Sequence, residues 1–380
     1  MTITSDTYNP VLMQYTSFQK TINYYKLSSK KIPGYASSQY TQTPREKACI
    51  KPFELQPAAE DFVFNLEREK VSANDTWNVN AVGCHGVESS WFTKGKCRER
   101  KLVADAMQGA AADFTVSAGD NFYMDGVKNP KSAHFNQYQA DYGQGLKLMA
   151  LGNHDYGFHA AGLLTSRFPF LSGIARAYHQ VQHTYEIGMH KCAGWFMPFR
   201  YYAVTLPNAV FFILDSNTLP FDEEQVEWFK STYDQYSGKK WKFIVMHHPI
   251  QQRGKRNKSK PDSQYYLPSS SAQVPTLWNE LVYSVLVGAE KPIDFIICAH
   301  DHFLHVDKVN DFPGKPYQII TGGGGGELQD ISQGSSLGAF KQHGFVNLAI
   351  TANKVTINCM TIELGTNALL PPHSITVTKS

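Results

Sequence analysis

Residues 112–127 read ADFTVSAGDNFYMDGV. A short apolar run from Asp113 to Ala118 predicts a strand, and it breaks off abruptly at Gly119-Asp120-Asn121-Phe122-Tyr123. The same transition recurs on either side. Upstream, Trp77, Val79 and Ala81 alternate with polar neighbours and lead into Gly83-Cys84-His85-Gly86, and Lys101 to Ala112 reads as a helix. Downstream, Gly145–Leu151 ends at Gly152-Asn153-His154-Asp155, Ala209–Leu214 at Asp215-Ser216-Asn217, and Phe243–Met246 at His247-His248-Pro249. Ile293–Cys298 then ends at Ala299-His300-Asp301-His302, and Tyr317–Thr321 at the glycines 322–326. Helix signals fall between these runs: Asp222 with Gln225 resembles a capping box before VEWFKSTYDQY, and Leu277–Val287 is a second candidate. Gly344 to Ile362 predicts a hairpin turning near Asn353. Short apolar strands buried on both faces and separated by helices make a layered α/β fold with mixed sheets. In such folds the carboxyl ends of the strands gather along one edge, so the polar clusters are expected to converge.

The chain has 380 residues, 42% hydrophobic and 18% charged, with a net charge of +3. That length supports one catalytic domain of about 300 residues plus an appendage. The division expected is a polar, tyrosine-rich extension over 1–75 and a catalytic domain over 76–380. Within the extension, Ala58 to Lys70 reads as a short helix, and the composition suits either a poorly ordered tail or an arm that ties the domain to a protein partner through its tyrosines. The net charge argues neither for nor against nucleic acid, no nucleic-acid partner is expected, and no run approaches the roughly 20 apolar residues of a membrane span. The first 30 residues lack the charged start and apolar core of a signal peptide, which points to the cytoplasm. Cys49, Cys84, Cys97, Cys192, Cys298 and Cys359 are scattered singly, the pattern of free and mostly buried thiols.

Asp120, Tyr123, Asn153, His154, His247, His300 and His302 are the side chains suited to chemistry. Oxygen and imidazole donors favour zinc, manganese or iron. The His300-x-His302 pair lies past a strand end, so its rings can serve different ions. A carboxylate between two cations about 3.5–4 Å apart is the natural bridge, and Asp120 is the candidate. Each element has a plainer reading: an Asn/Asp turn for 152–155, a core histidine for His247, a helix cap for Asp120. Their common order, each at a strand end, tells against those readings.

The order GD-x-x-Y, GNHD, His-x-Pro and AHDH resembles the purple acid phosphatase family, in its tartrate-resistant, low-molecular-weight branch. The likeness runs from about Trp77 to Ile362 and includes the stretch FRYYAVTLPNAVFFILDSNTL at 199–219. The resemblance implies a four-layer α/β/β/α sandwich of two mixed β-sheets flanked by helices. It implies a phosphoric monoester hydrolase with two metal ions, iron plus a divalent iron, zinc or manganese, and a metal-bound hydroxide attacking phosphorus. Asp120 would bridge, Tyr123 and His302 would hold the first ion, and Asn153, His247 and His300 the second. His154 would be the catalytic group at the substrate phosphate, with Asn153 also contacting substrate.

Two departures stand out. The family's first motif is GD-x-G, whose Asp binds the first ion, and here the text is Gly83-Cys84-His85-Gly86. Three states stay open: Cys84 ligates as a thiolate, His85 swings in, or the first position is weak or empty. The last leaves a single-metal enzyme or an impaired relative acting as a scaffold. Secondly, QQRGKRNKSKPDSQYY at 251–266 lacks a histidine that the family uses on the substrate, while Arg253, Lys255, Arg256, Lys258 and Lys260 crowd the loop. They offer charge to a phosphorylated substrate or simply form a solvated loop. The glycines at 322–326 lack the Lys-Ser/Thr of a phosphate-binding loop, so close backbone approach is expected of them.

Overall fold

The computed structural model describes residues 2–4, 62–67, 76–86, 98–123, 126–156, 169–187, 194–217, 219, 223–251, 253–254, 292–310, 314–332 and 336–379. In chain order the strands are β1 (Thr2–Thr4), β2 (Val63–Glu67), β3 (Trp77–Val82), β4 (Phe114–Ser117), β5 (Lys147–Met149), β6 (Tyr202–Thr205), β7 (Ala209–Ile213) and β8 (Trp241–Val245). They continue as β9 (Phe295–Cys298), β10 (Leu304–Lys308), β11 (Tyr317–Thr321), β12 (Gly338–Phe340), β13 (Gly344–Ile350), β14 (Lys354–Glu363), β15 (Ala368–Leu369) and β16 (His373–Thr378). The helices are α1 (Arg98–Gly109), α2 (Ala133–Tyr142), α3 (Pro169–Glu186) and α4 (Glu223–Gln235).

These strands form two mixed sheets. One has the order β1-β2-β6-β7-β8-β9-β11-β10-β12, and the other runs β15-β14-β13-β3-β4-β5 with β16 also on β14. At the heart of each sheet the strands are parallel: β3, β4 and β5 in one, β7, β8, β9 and β11 in the other. Parallel strands must be covered on both faces, and β4, β7, β8 and β9 are buried at every position. The sheets meet through an aromatic spine. Phe114 of β4 lies edge-on to Phe211 of β7 at 5.6 Å, Phe211 stacks on Phe243 at 4.4 Å, and Phe243 on Phe295 at 4.8 Å. On the outer faces, α4 packs Phe229 against Phe212, and α1 buries Val103, Ala104 and Met107 beside β3 and β13.

The hairpin expected over Gly344–Ile362 is β13 and β14, paired from Gly344↔Thr361 to Ile350↔Val355. Within the short helix expected at Ala58–Lys70, the described residues Val63–Glu67 instead form strand β2, parallel to β6. Phe62, Phe64 and Leu66 are buried while Asn65 is exposed. Alternation with period two, which only a strand satisfies, overrides the helix reading. The candidate helix Leu277–Val287 lies outside the described residues. Helix α4 forms; Asp222 lies outside the described residues, and the Gln225 amide clamps Asp215, accepting from the backbone N at 2.8 Å and donating to the carbonyl at 3.2 Å. Among the described cysteines, Cys84, Cys298 and Cys359 are free and buried.

The glycines at 322–326 stitch the two sheets together. Gly83 N donates to Thr321 O at 2.9 Å, Gly324 N to Gly83 O at 3.2 Å and Gly326 N to Cys84 O at 3.1 Å. A Cβ on Gly322 would stand 2.0 Å from Asp301 O, so close backbone approach is the reason for the glycine there.

Candidate metal centre

Cys84 follows β3, Asp120 and Tyr123 follow β4, Asn153 and His154 follow β5, His247 follows β8, and His300 and His302 follow β9. All of these strands end toward one edge, where the two sheets deliver their clusters to one pocket. Cys84, Asp120 and His300 have φ of 52°, 58° and 65°, the left-handed region that non-glycine residues seldom occupy. Such strain persists only where neighbours enforce it, and it concentrates at functional sites. Here Cys84 N donates to Gly119 O at 3.0 Å, and a Cβ on Gly152 would lie 2.2 Å from Asp120 N, so the two loops press directly on one another.

Asp120 divides its carboxylate between two groups of donors. Oδ1 faces His247 Nε2 at 3.3 Å and accepts the His154 backbone N–H at 3.0 Å. Around it, Asn153 Oδ1 is 2.9 Å from His247 Nε2 and 3.0 Å from His300 Nδ1. Oδ2 accepts from Tyr123 Oη at 3.0 Å, and that hydroxyl is 3.4 Å from His302 Nε2. Ligand atoms of Cys84, Asp120 and His302 all lie within 4.8 Å of one another. The rings of His300 and His302 thus diverge onto different groups, as expected of a pair beyond a strand end.

The donor set fits two cations. His247 Nδ1 is 2.8 Å from Ala118 O, and His302 Nδ1 is 2.8 Å from Glu327 O. A carbonyl oxygen can only accept, so Nδ1 carries the proton in both rings and Nε2 turns a lone pair inward. At His247 that lone pair meets Asp120 Oδ1 and Asn153 Oδ1, both acceptors. Lone pairs facing lone pairs in a buried pocket repel unless a proton or a cation lies among them.

Burial by itself would raise the Asp120 carboxyl. Positive charge at the His247 and His154 rings, where a proton or a cation would supply it, and the His154 backbone N–H outweigh it and hold the group below the usual carboxylate range. Tyr123 shifts the other way: burial first, then the Asp120 and Cys84 charges, push its hydroxyl well up. His154 stands on a short 3-10 turn, His154–Tyr156, with its ring edge-on to Tyr123 at 4.6 Å. Tyr156 Oη donates to the buried Asp215 carboxylate, which lies 3.8 Å from Arg200 Nη1, and this anchors the turn beneath His154 to the end of β7.

The structure closes two alternatives that the sequence left open. His85 does not swing in: its Nε2 is 2.8 Å from Ser117 Oγ and its ring packs on Tyr138 and Tyr142. Burial pushes it down to about 3, so it is a neutral core histidine. Arg253 does not serve the substrate either, because its guanidinium is held by Asp307 and its backbone N–H by Asp301 Oδ2 at 2.8 Å. Lys255, Arg256, Lys258 and Lys260 lie outside the described residues. Sequence reading passed over Asp155, whose carboxylate receives Asn121 N, Phe122 N, Gly152 N, Asn121 Nδ2 and Gln180 Nε2 and so binds the loops after β4 and β5 together. Its acidic place inside the GNHD turn was the available signal.

Two mixed sheets that converge parallel strand ends on such a cluster define a metallophosphoesterase-type α/β sandwich. The chain belongs to the calcineurin-like phosphoesterase family, whose model matches residues 84–304. Metal-dependent hydrolysis of phosphoesters is that family's general chemistry. Within the family the likeness is to purple acid phosphatases: the chain is 26% identical over 307 residues to purple acid phosphatase 7 of Arabidopsis thaliana, covering 70% of this chain and 79% of that protein. Among solved structures, GAP50, the anchor in the inner membrane complex of Plasmodium, aligns with a TM-score of 0.54 at 20% identity, over 80% of this chain and 90% of that one. The purple acid phosphatase PPD1 of yellow lupin (Lupinus luteus) aligns with a TM-score of 0.52 at 12% identity, over 80% of this chain and 54% of that one. At these identities the structural likenesses speak for the fold. Among the described residues no helix is long and apolar enough to cross a membrane.

Proposed function

We propose that the chain hydrolyses phosphoric monoesters with a pair of cations that share Asp120. The observation that carries this reading is the split carboxylate, with Oδ1 facing His247 and Oδ2 facing Tyr123. Asn153, His247 and His300 would hold one cation, and Tyr123 and His302 the other. Cations held by these residues would supply positive charge to the phosphoryl oxygens and lower the pKa of a water that serves as nucleophile.

The protein's own part is positioning and proton control. Carbonyls of Ala118 and Glu327 fix the tautomers of His247 and His302, so no ring must reorient when a cation arrives. His154 has its backbone pinned on Asp120 Oδ1 and its ring braced by Tyr123, which leaves the imidazole to donate to a phosphate oxygen. Asn153 directs Oδ1 at the donors around His247, and its amide nitrogen is the natural second contact for phosphate.

The test is hydrolysis of an aryl phosphate between about pH 4 and pH 8, with metal content measured on the same sample. The expected outcome is bound metal and turnover in the wild type, with both lost in Asp120→Asn. A chain that retains no metal and turns nothing over across that range is not a hydrolase.

A second reading is a scaffold, favoured by the thiol in the first motif and by the likeness to a protein described as an anchor. It places the function in residues 1–75 and a protein partner. On that reading, deleting residues 1–61, which stops short of β2, disrupts a complex that Asp120→Asn leaves intact. Retention of seven chemistry-bearing side chains in one pocket favours the hydrolase.

A further inference from the structure

We infer that Cys84 is a thiolate ligand and that it makes the first half of the site a zinc-class position. The inference rests on the two-cation reading and deepens it. Its first support is geometry: the Cys84 sulfur, an Asp120 oxygen and a His302 nitrogen converge within 4.8 Å. Tyr123 Oη lies beside them, hydrogen-bonded to Asp120 Oδ2 at 3.0 Å and 3.4 Å from His302 Nε2. One sulfur, one imidazole nitrogen and two oxygens therefore gather on one side of Asp120.

Its second support is the surroundings of the sulfur. The backbone N–H of His300 donates to Cys84 Sγ at 3.2 Å. An amide aimed at sulfur stabilises developing negative charge there. That amide is aimed by strained backbone at both ends, since Cys84 and His300 each sit at positive φ. An inert core thiol requires no such arrangement: Cys359, buried elsewhere on β14, is pushed up to about 12 by burial and stays protonated.

Donor chemistry then selects the ion. Thiolate with imidazole suits zinc, whereas an all-sulfur or thioether set would favour copper(I). The Asp120 and Tyr123 oxygens exclude the copper(I) type, and the sulfur disfavours hard cations such as magnesium or manganese. Four donors of mixed N, O and S type are the usual complement of zinc. The other half of the site, with oxygen and nitrogen donors alone, carries no such preference.

X-ray absorption at the zinc edge on the zinc-loaded full chain tests this directly. The expected result is a sulfur scatterer at about 2.3 Å, at an average of half a sulfur per zinc when both positions are filled. Cys84→Ser should lose that scatterer and weaken the first ion by at least the roughly 10–100-fold that loss of even an outer partner costs. Cobalt(II) substitution gives a second readout, a near-ultraviolet sulfur-to-cobalt band in wild type that is absent from Cys84→Ser. Two zinc ions bound without any sulfur scatterer would overturn the inference and leave the two-cation reading standing. A band that survives Cys84→Ser would overturn it equally, by assigning the sulfur elsewhere. A chain that binds no zinc and no cobalt would sink both together.

Discussion

The carboxylate of Asp155 takes up five N–H groups inside a space closed to solvent, three from backbone and two from the amides of Asn121 and Gln180. Burial and the nearby Asp120 push it up to about 7, while the N–H groups act in the opposite sense and favour the ionised form. Exchanging one carboxylate oxygen for an amide nitrogen sets donor against donor, and a buried donor without an acceptor costs about 1–3 kcal/mol. Asp155→Asn is therefore expected to lose about 2–4 kcal/mol of stability, read as a lower urea midpoint at unchanged slope. It should also loosen metal binding, because Asp120 and Asn153 flank the loops that Asp155 joins. A midpoint equal to wild type would show that the loops hold without it. The residues gathered at the centre were legible because each directly follows an apolar run. Asp155 was not, since its partners Asn121, Gly152 and Gln180 come from three separate places in the chain. Nor was the fate of His85, one position from Cys84, because only the direction of the loop after β3 turns one toward the donors and the other toward Ser117.

Among the elements, the parallel strands were the easiest to read, because burial on both faces leaves an unbroken apolar run. Harder cases were those where tertiary contact decided. Strand β2 is a five-residue alternation in a polar stretch, and only pairing with β6 gives it an edge to join. Helix α2 reads AHFNQYQADY, mostly polar, and its three buried positions Phe135, Tyr138 and Tyr142 cover too narrow a stripe to signal from sequence. The glycine run is the element whose purpose sequence and structure agree on, and it gives a comparison of sign. Gly322→Ala would put a methyl 2.0 Å from a backbone oxygen of Asp301, which cannot retreat without moving His300 and His302. Gly109→Ala, at the end of α1 with nothing within 4 Å of the new methyl, removes only unfolded-state freedom. The expectation is a loss of about 2 kcal/mol or more for Gly322→Ala and a gain of about 0.5–1 kcal/mol for Gly109→Ala. Denaturant unfolding of the two variants checks it. Equal effects would mean that the run bends aside, and that its glycines answer to something other than crowding.

At the scale of the whole molecule, the centre is a clasp between two sheets. Cys84, Asp120, Tyr123 and Asn153 come from strands of one sheet, and His247, His300 and His302 from strands of the other. Elsewhere the sheets are joined by the Phe114–Phe211 contact, by Trp241 Nε1 donating to Thr351 O at 2.9 Å, and by Lys379, which pairs with Asp294 at 2.6 Å from the end of the chain. A cation held by donors from both sheets binds the assembled state and not the separated one, so its binding free energy is stability of the whole. With free ion at about 100 times its dissociation constant, one site adds about 2.7 kcal/mol. For a domain of this size that corresponds to a rise in Tm of about 5 °C. Removing metal with a chelator should lower Tm by at least that amount while unfolding stays a single transition, and restoring zinc should return it. Asp120→Asn, which breaks the bridge between the two groups of donors and is expected to lose its metal, should show no shift under the same treatment. If stripping the ions moves only activity and leaves Tm in place, the donors of the two sheets do not share their cations, and the clasp is an accident of proximity.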